Sequence, residues 1–131
     1  MTRARFDDSF EPPAPVLPVR IGGIDPRAPT ALVRMLVDTG ADCTLVPARL
    51  ARSLRLPYVD KIEVQGVGGA VRSARVYAAR IRLGPLRLVT RLAAFGDEAL
   101  LGRDLLNRLT LHIDGRAGTI SIAPGVKRTR R

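Results

Sequence analysis

The chain has 131 residues, the length of a single domain. Hydrophobic residues make up 46% of it and tryptophan is absent, so Val, Leu, Ile and Ala must build the core. Its net charge is +10, and its single cysteine, Cys43, excludes an internal disulfide and suits a reducing compartment.

Residues 1–15 are polar, acidic and proline-bearing, and read as an extended or disordered N-terminal arm. They contain no apolar stretch of the kind a secretory signal needs. No apolar run approaches the ~20 residues of a membrane span. A cytoplasmic location without membrane partners is the expectation.

From Val16 onward the pattern is mainly β. Val16 to Ile21 predicts a first strand, and Gly22-Gly23 opens a loop through Asp25-Pro26 and Pro29. Ala31 to Val37 predicts a second strand that ends at Asp38-Thr39-Gly40. Thr44-Leu45-Val46 resumes as a short strand. Pro47 suits the first turn of a helix in which Leu50, Ala51 and Leu54 share one face, and Pro57 closes it. Ile62 and Val64 lead through glycines into Val71 to Val76, a hairpin. Tyr77 to Leu83 and Leu86 to Ala94 flank Gly84-Pro85, a second hairpin. Arg103 to Leu109 predicts a short helix. Leu111 to Ile113 and Thr119 to Ile122 form a last hairpin. The fold class is all-β, with one or two short helices. The domain spans 16–123, and a basic tail follows at 124–131.

Arg20, Arg34, Arg72, Arg75, Arg80, Arg82 and Arg87 fall at alternating or near-alternating strand positions, as on the solvated face of a sheet. Lys127-Arg128-Thr129-Arg130-Arg131 is denser. It reads as a solvated tail, with a phosphate-binding patch as the sharper reading. No stacking aromatics sit among these charges, which argues against a nucleic-acid partner. His112 stands alone, so neither a metal nor another cofactor is expected. Cys43 has no histidine partner to make it a nucleophile and reads as a small packing residue.

The run Met35-Leu36-Val37-Asp38-Thr39-Gly40-Ala41-Asp42 carries the chemistry. An apolar strand delivers a carboxylate into a tight loop. An unpaired buried charge is costly, so such an acid needs a partner, a proton or a task. The segment resembles the catalytic loop of aspartic proteases, above all the single-domain retropepsins. Val64-Gln65-Gly66-Val67-Gly68-Gly69-Ala70 resembles their flap tip. Ala99-Leu100-Leu101-Gly102-Arg103-Asp104-Leu105-Leu106 resembles their apolar-apolar-Gly-Arg segment. The order and spacing of all three agree.

The resemblance implies a closed barrel or sandwich of hairpins. It implies an aspartic endopeptidase with Asp38 as the catalytic acid, acting on a peptide or protein substrate. Thr39, Gly40, Ala41, Asp42 and Arg103 would support the active-site loop, the last two as an ion pair or as substrate contacts. Gly66, Val67, Gly68 and Gly69 would form a substrate-binding flap. Asp104 would cap the short helix, and Leu100-Leu101-Gly102 would pack beneath the loop. Only one Asp-Thr-Gly is present and the chemistry needs two carboxylates, so the resemblance implies a homodimer. Ala41 puts no hydroxyl where many pepsin-like enzymes have one to favour the charged acid, which implies activity at mildly acidic to near-neutral pH. The chain departs from the retroviral pattern in its longer N-terminal arm and its continuation past Gly102, where retroviral enzymes end in strands that interleave in the dimer. A protease-fold module that binds peptide or dimerises without cutting is the alternative. A nucleic-acid-associated protein is a third reading that rests on charge alone.

Overall fold

The computed structural model describes residues 2–66 and 68–123; Val67 and the basic tail at 124–131 lie outside the described residues. The strands are β1 (Thr2–Arg5), β2 (Val16–Gly22), β3 (Thr30–Val37), β4 (Leu45–Val46), β5 (Tyr58–Gln65), β6 (Val71–Leu83), β7 (Leu86–Ala94), β8 (Leu100–Leu101), β9 (Leu111–Asp114) and β10 (Thr119–Ile122). Helix α1 (Ala48–Ser53) follows β4, and α2 (Arg103–Leu106) follows β8. The chain is all-β with two short helices, as the residue pattern predicts.

Alternation explains the sheet. In β2, Val19 and Ile21 are buried while Arg20 is exposed, and in β6 Ala79, Ile81 and Leu83 are buried while Arg80 and Arg82 are exposed. One face of each strand is thereby committed to a common interior. The strand order is β2-β3-β8-β4-β7-β6, and β6 pairs back onto β2. The sheet thus closes on itself as a barrel, which removes most free edges. Leu17, Met35, Leu83, Leu92, Leu101 and Leu105 fill its core. Among the described residues no helix is long and apolar enough to cross a membrane.

A separate three-stranded sheet, ordered β1-β10-β9, packs at the side. It contains part of the segment that reads as an arm. Thr2–Arg5 pairs antiparallel with Thr119–Ile122. Ala4 and Phe6 pack against the main core, together with Ile120 and Ile122, whereas Arg3 and Arg5 are exposed. The alternation is short, and its partner lies more than a hundred residues away. The stretch after β1 is also tied down. Asp7 bridges to Ala14 and forms an ion pair with Arg34 of β3 at 3.3 Å. Bonds from the Ser9 hydroxyl and N–H hold the Asp7 carboxyl below the usual carboxylate range, and Arg34 adds to the effect.

Several boundaries differ from expectation, among them the start of β5, which is Tyr58 directly after Pro57. Val71 to Leu83 is one strand rather than two, because β6 changes partner without breaking, from β5 to β2. Helix α1 stops at Ser53, where Arg55 takes a left-handed φ of 52°, so the chain turns before Pro57. Helix α2 ends at Leu106, and only shorter-range bonds, Arg108 N–H to Leu105 and Leu109 N–H to Leu106, carry the chain on toward β9.

Candidate active site

Strand β3 delivers Asp38 from the barrel wall. Its last residues are clamped from both sides: Val37 N–H donates to the Pro15 carbonyl and Asp38 N–H to the Leu101 carbonyl, each at 3.0 Å. The half-buried Asp38 carboxylate accepts a bond from Gly40 N–H at 3.0 Å, and Ala41 N–H donates to the Asp38 carbonyl at 3.2 Å. The acid is therefore held in a closed turn at the end of a rigid strand.

The first residue of α2 cinches this loop at three points. Arg103 N–H donates to the Ala41 carbonyl at 2.9 Å. Its guanidinium donates to the Thr39 carbonyl at 2.7 Å and to the Asp42 carboxylate. The structure thus brings Asp38, Thr39, Gly40, Ala41, Asp42 and Arg103 together. Asp42 is 89% exposed, so the ion pair itself contributes no more than about 1 kcal/mol. Its effect is on loop shape.

Beneath the loop lies a contact that the residue pattern does not reveal. Thr44 is only 1% exposed. Its hydroxyl donates to Asp104 at 2.7 Å and accepts a bond from Gly102 N–H at 3.1 Å, while its N–H donates to the other Asp104 oxygen at 3.1 Å. Asp104 also accepts from Leu105 N–H at 2.9 Å. It sits inside the first turn of α2, which has no side-chain cap, and acts as a buckle between helix and loop rather than as a cap. The signal available was a lone hydroxyl residue heading an apolar run, which on its own reads as a strand position.

Gly102 lies where these segments cross. A Cβ there would stand 2.5 Å from the Cys43 carbonyl oxygen. Cys43 packs with Leu45, Ala74 and Ala93 in a small second cluster. Burial pushes its thiol above the ordinary range, and the charges of Asp104 and Asp42 push it the same way. Cys43 should therefore react with iodoacetamide more slowly in the folded protein than in the unfolded chain at pH 8, which a timed mass measurement checks.

The hairpin of β5 and β6 ends in an exposed tip, closed by Gly66 N–H to the Ala70 carbonyl and Gly69 N–H to the Gly66 carbonyl, both at 3.1 Å. Gly68 and Gly69 have φ of 90° and 83°, a region that side chains disfavour. No side-chain hydrogen bond among the described residues joins this tip to the Asp38 loop, and Val67 lies outside them. His112 is exposed on β9. Among the described residues, no group of three or more His, Cys, Asp or Glu side chains could hold a metal ion.

The aspartyl protease family matches residues 17–105, from β2 to α2. The chain belongs to the aspartyl protease family. As a family member it shares 37% identity over 89 residues with DNA damage-inducible protein 1 of Chaetomium globosum, a match covering 63% of this chain. The match covers 20% of that relative, so the chain spans about a fifth of the length of the curated protein it resembles. Among solved structures, the protease of EIAV in complex with the inhibitor HBY-793 aligns with a TM-score of 0.58 and 23% identity, covering 72% of this chain and 86% of that one. The retroviral protease-like domain of Ddi1 from Leishmania major aligns at 0.47 and 19% identity, covering 82% and 87%. This aspartyl protease family member has a retropepsin-like fold. The family match includes the Asp38 loop and its Arg103 and Asp104 supports, and it stops before β9 and β10.

Proposed function

We propose that the chain is an aspartic endopeptidase that works as a homodimer, each subunit lending Asp38. The observation that carries this reading is the half-buried Asp38 carboxylate, fixed in an Asp-Thr-Gly turn at a barrel strand's end in a family of aspartyl proteases. Two such acids facing each other cannot both ionise readily and share a proton. The ionised one takes a proton from a water between them, and that water attacks the peptide carbonyl. The protonated one stabilises the developing oxyanion and then protonates the leaving amine. Thr39 and Gly40 hold the paired loops, Ala41 and Asp42 with Arg103 set their shape, and Gly66 to Gly69 close over an extended peptide or protein substrate.

A protease-fold module that binds without cutting is the second reading. One observation favours it: β1 and β10 pair within the same chain, whereas the retroviral resemblance implies terminal strands that interleave between subunits.

Mixing separates the two. Wild-type protein combined with about a ninefold excess of Asp38→Asn should lose about tenfold of its cleavage per wild-type subunit, because most wild-type chains then sit in dimers with one acid. Activity per wild-type subunit that is indifferent to mixing would overturn the shared site. A sample that sediments as a dimer yet cuts no unfolded peptide across a pH series would establish the binding module.

A further inference from the structure

The barrel's outer face carries a cluster for which the protease reading has no use. Arg20 on β2 stands directly opposite Arg82 on β6, and Arg82 stands directly opposite Arg87 on β7. Arg80, two residues along β6 on the same face, lies opposite Gly22. All four arginines are exposed, and they line one cleft of about 370 Å³. The loop from Gly22 to Thr30 forms its other wall.

Like charges directly opposite on neighbouring strands destabilise a sheet. Two such pairs meet at Arg82. Among the described residues, none of the four arginines has a carboxylate within 4.0 Å. Asp25, the acid lining the cleft, is engaged elsewhere: it accepts bonds from Arg27 N–H at 2.8 Å and from the Arg27 guanidinium at 3.4 and 3.3 Å. Arg20 donates to the Thr30 hydroxyl at 3.1 Å, which ties its head to the loop. Strand spacing and rise put the four Cα atoms on a patch of about 10 by 7 Å. Four planar, bidentate donors thus share a cleft whose one lining acid, Asp25, is hydrogen-bonded to Arg27 and meets the Arg80 charge only from beyond ion-pair distance.

We propose that the cleft binds an oligophosphate, a small molecule carrying two or more linked phosphate groups. The volume suits a small ligand. The loop from Gly22 to Thr30 closes one side, which favours a short anion over one that must run on past it. No aromatic ring lines the cleft for bases to stack on. These features favour a compact anion over a nucleic-acid strand. The site is independent of the proposed catalytic loop: Thr30 and Asp38 stand at opposite ends of β3, eight residues or ~26 Å apart along the strand.

Inorganic tripolyphosphate, titrated calorimetrically at fixed ionic strength, is the probe. One site is expected. Arg82→Thr should weaken it by at least about tenfold, while Arg72→Thr, exposed on the same strand outside the cleft, leaves it unchanged. In low-salt buffer without the anion, Arg82→Thr should melt higher than wild type, since both like-charge pairs are gone. That readout also shows the variant is folded. No saturable binding, or equal weakening by the two substitutions, overturns the proposal. A single-stranded oligonucleotide that binds more tightly than tripolyphosphate overturns it in favour of a nucleic-acid strand.

Discussion

On the proposed mechanism, Asp38→Asn should lower peptide cleavage by about 10²-fold or more. Asparagine keeps the size and shape of the side chain. Its amide oxygen can still accept the Gly40 N–H bond that closes the turn, and the Asp38 backbone bond to Leu101 is untouched. The variant should therefore melt within about 0.5 kcal/mol of wild type. What it loses is the capacity to hold or give a proton. In a shared site it also removes the one charge that would activate the water. The measurement is the set of products from an unfolded peptide mixture over a pH series, alongside a melting curve. Equal cutting by both proteins would remove Asp38 from the chemistry.

The second large effect is structural. Gly102→Ala should cost about 3 kcal/mol and lower the melting temperature by about 10 °C or more. The φ of Gly102 is −93°, which any residue can adopt, so the demand at this position is for space. A Cβ would stand 2.5 Å from the Cys43 carbonyl oxygen and 2.9 Å from its Cα. Both obstacles are main chain and cannot swing aside as a side-chain tip would. The two ways to relieve them are to move the Asp42 to Thr44 segment or to lift α2, and the Thr44–Asp104 bonds resist either. Cleavage should fall with stability, because the displaced segment continues directly from the Asp38 loop. Gly66→Ala is the control, since a Cβ there has nothing within 4 Å and should leave the melting temperature nearly unchanged. A Gly102→Ala protein that melts with wild type would mean that the crossing is looser than these distances require.

Much of the site was legible because it is local. Asp38, Thr39 and Gly40 are consecutive, and the apolar run ahead of them announces the strand that holds them. Arg103 and Asp42 could be paired only through the family resemblance, since 61 residues separate them. The role of Thr44 is silent in the sequence for the same reason: its partner Asp104 is 60 residues away, and neither residue type signals the other. Distance in sequence also hid the place of β1. Thr2–Arg5 looks like a polar arm until β10 is beside it, and four residues of alternation are too few to announce a strand. Two successive hairpins each suggest an arm of their own, whereas β6 serves both as one strand that changes partner, which composition does not record. The arginines illustrate another limit. Alternation places Arg20, Arg82 and Arg87 on the outer face, but the register that lines them up across three strands exists only in the folded sheet.

That same long strand is built like a cantilever. From Arg80 to Arg82 it is bolted to β2 on one flank and β7 on the other, whereas Val71 to Ala74 hangs on β5 alone. Between the mounting and the overhang, Arg75 to Tyr77 pair with β5 and β7 alike, and Ala78 and Ala79 pair with β7. Damage to the overhang should leave the barrel standing, while damage to the root should bring down both.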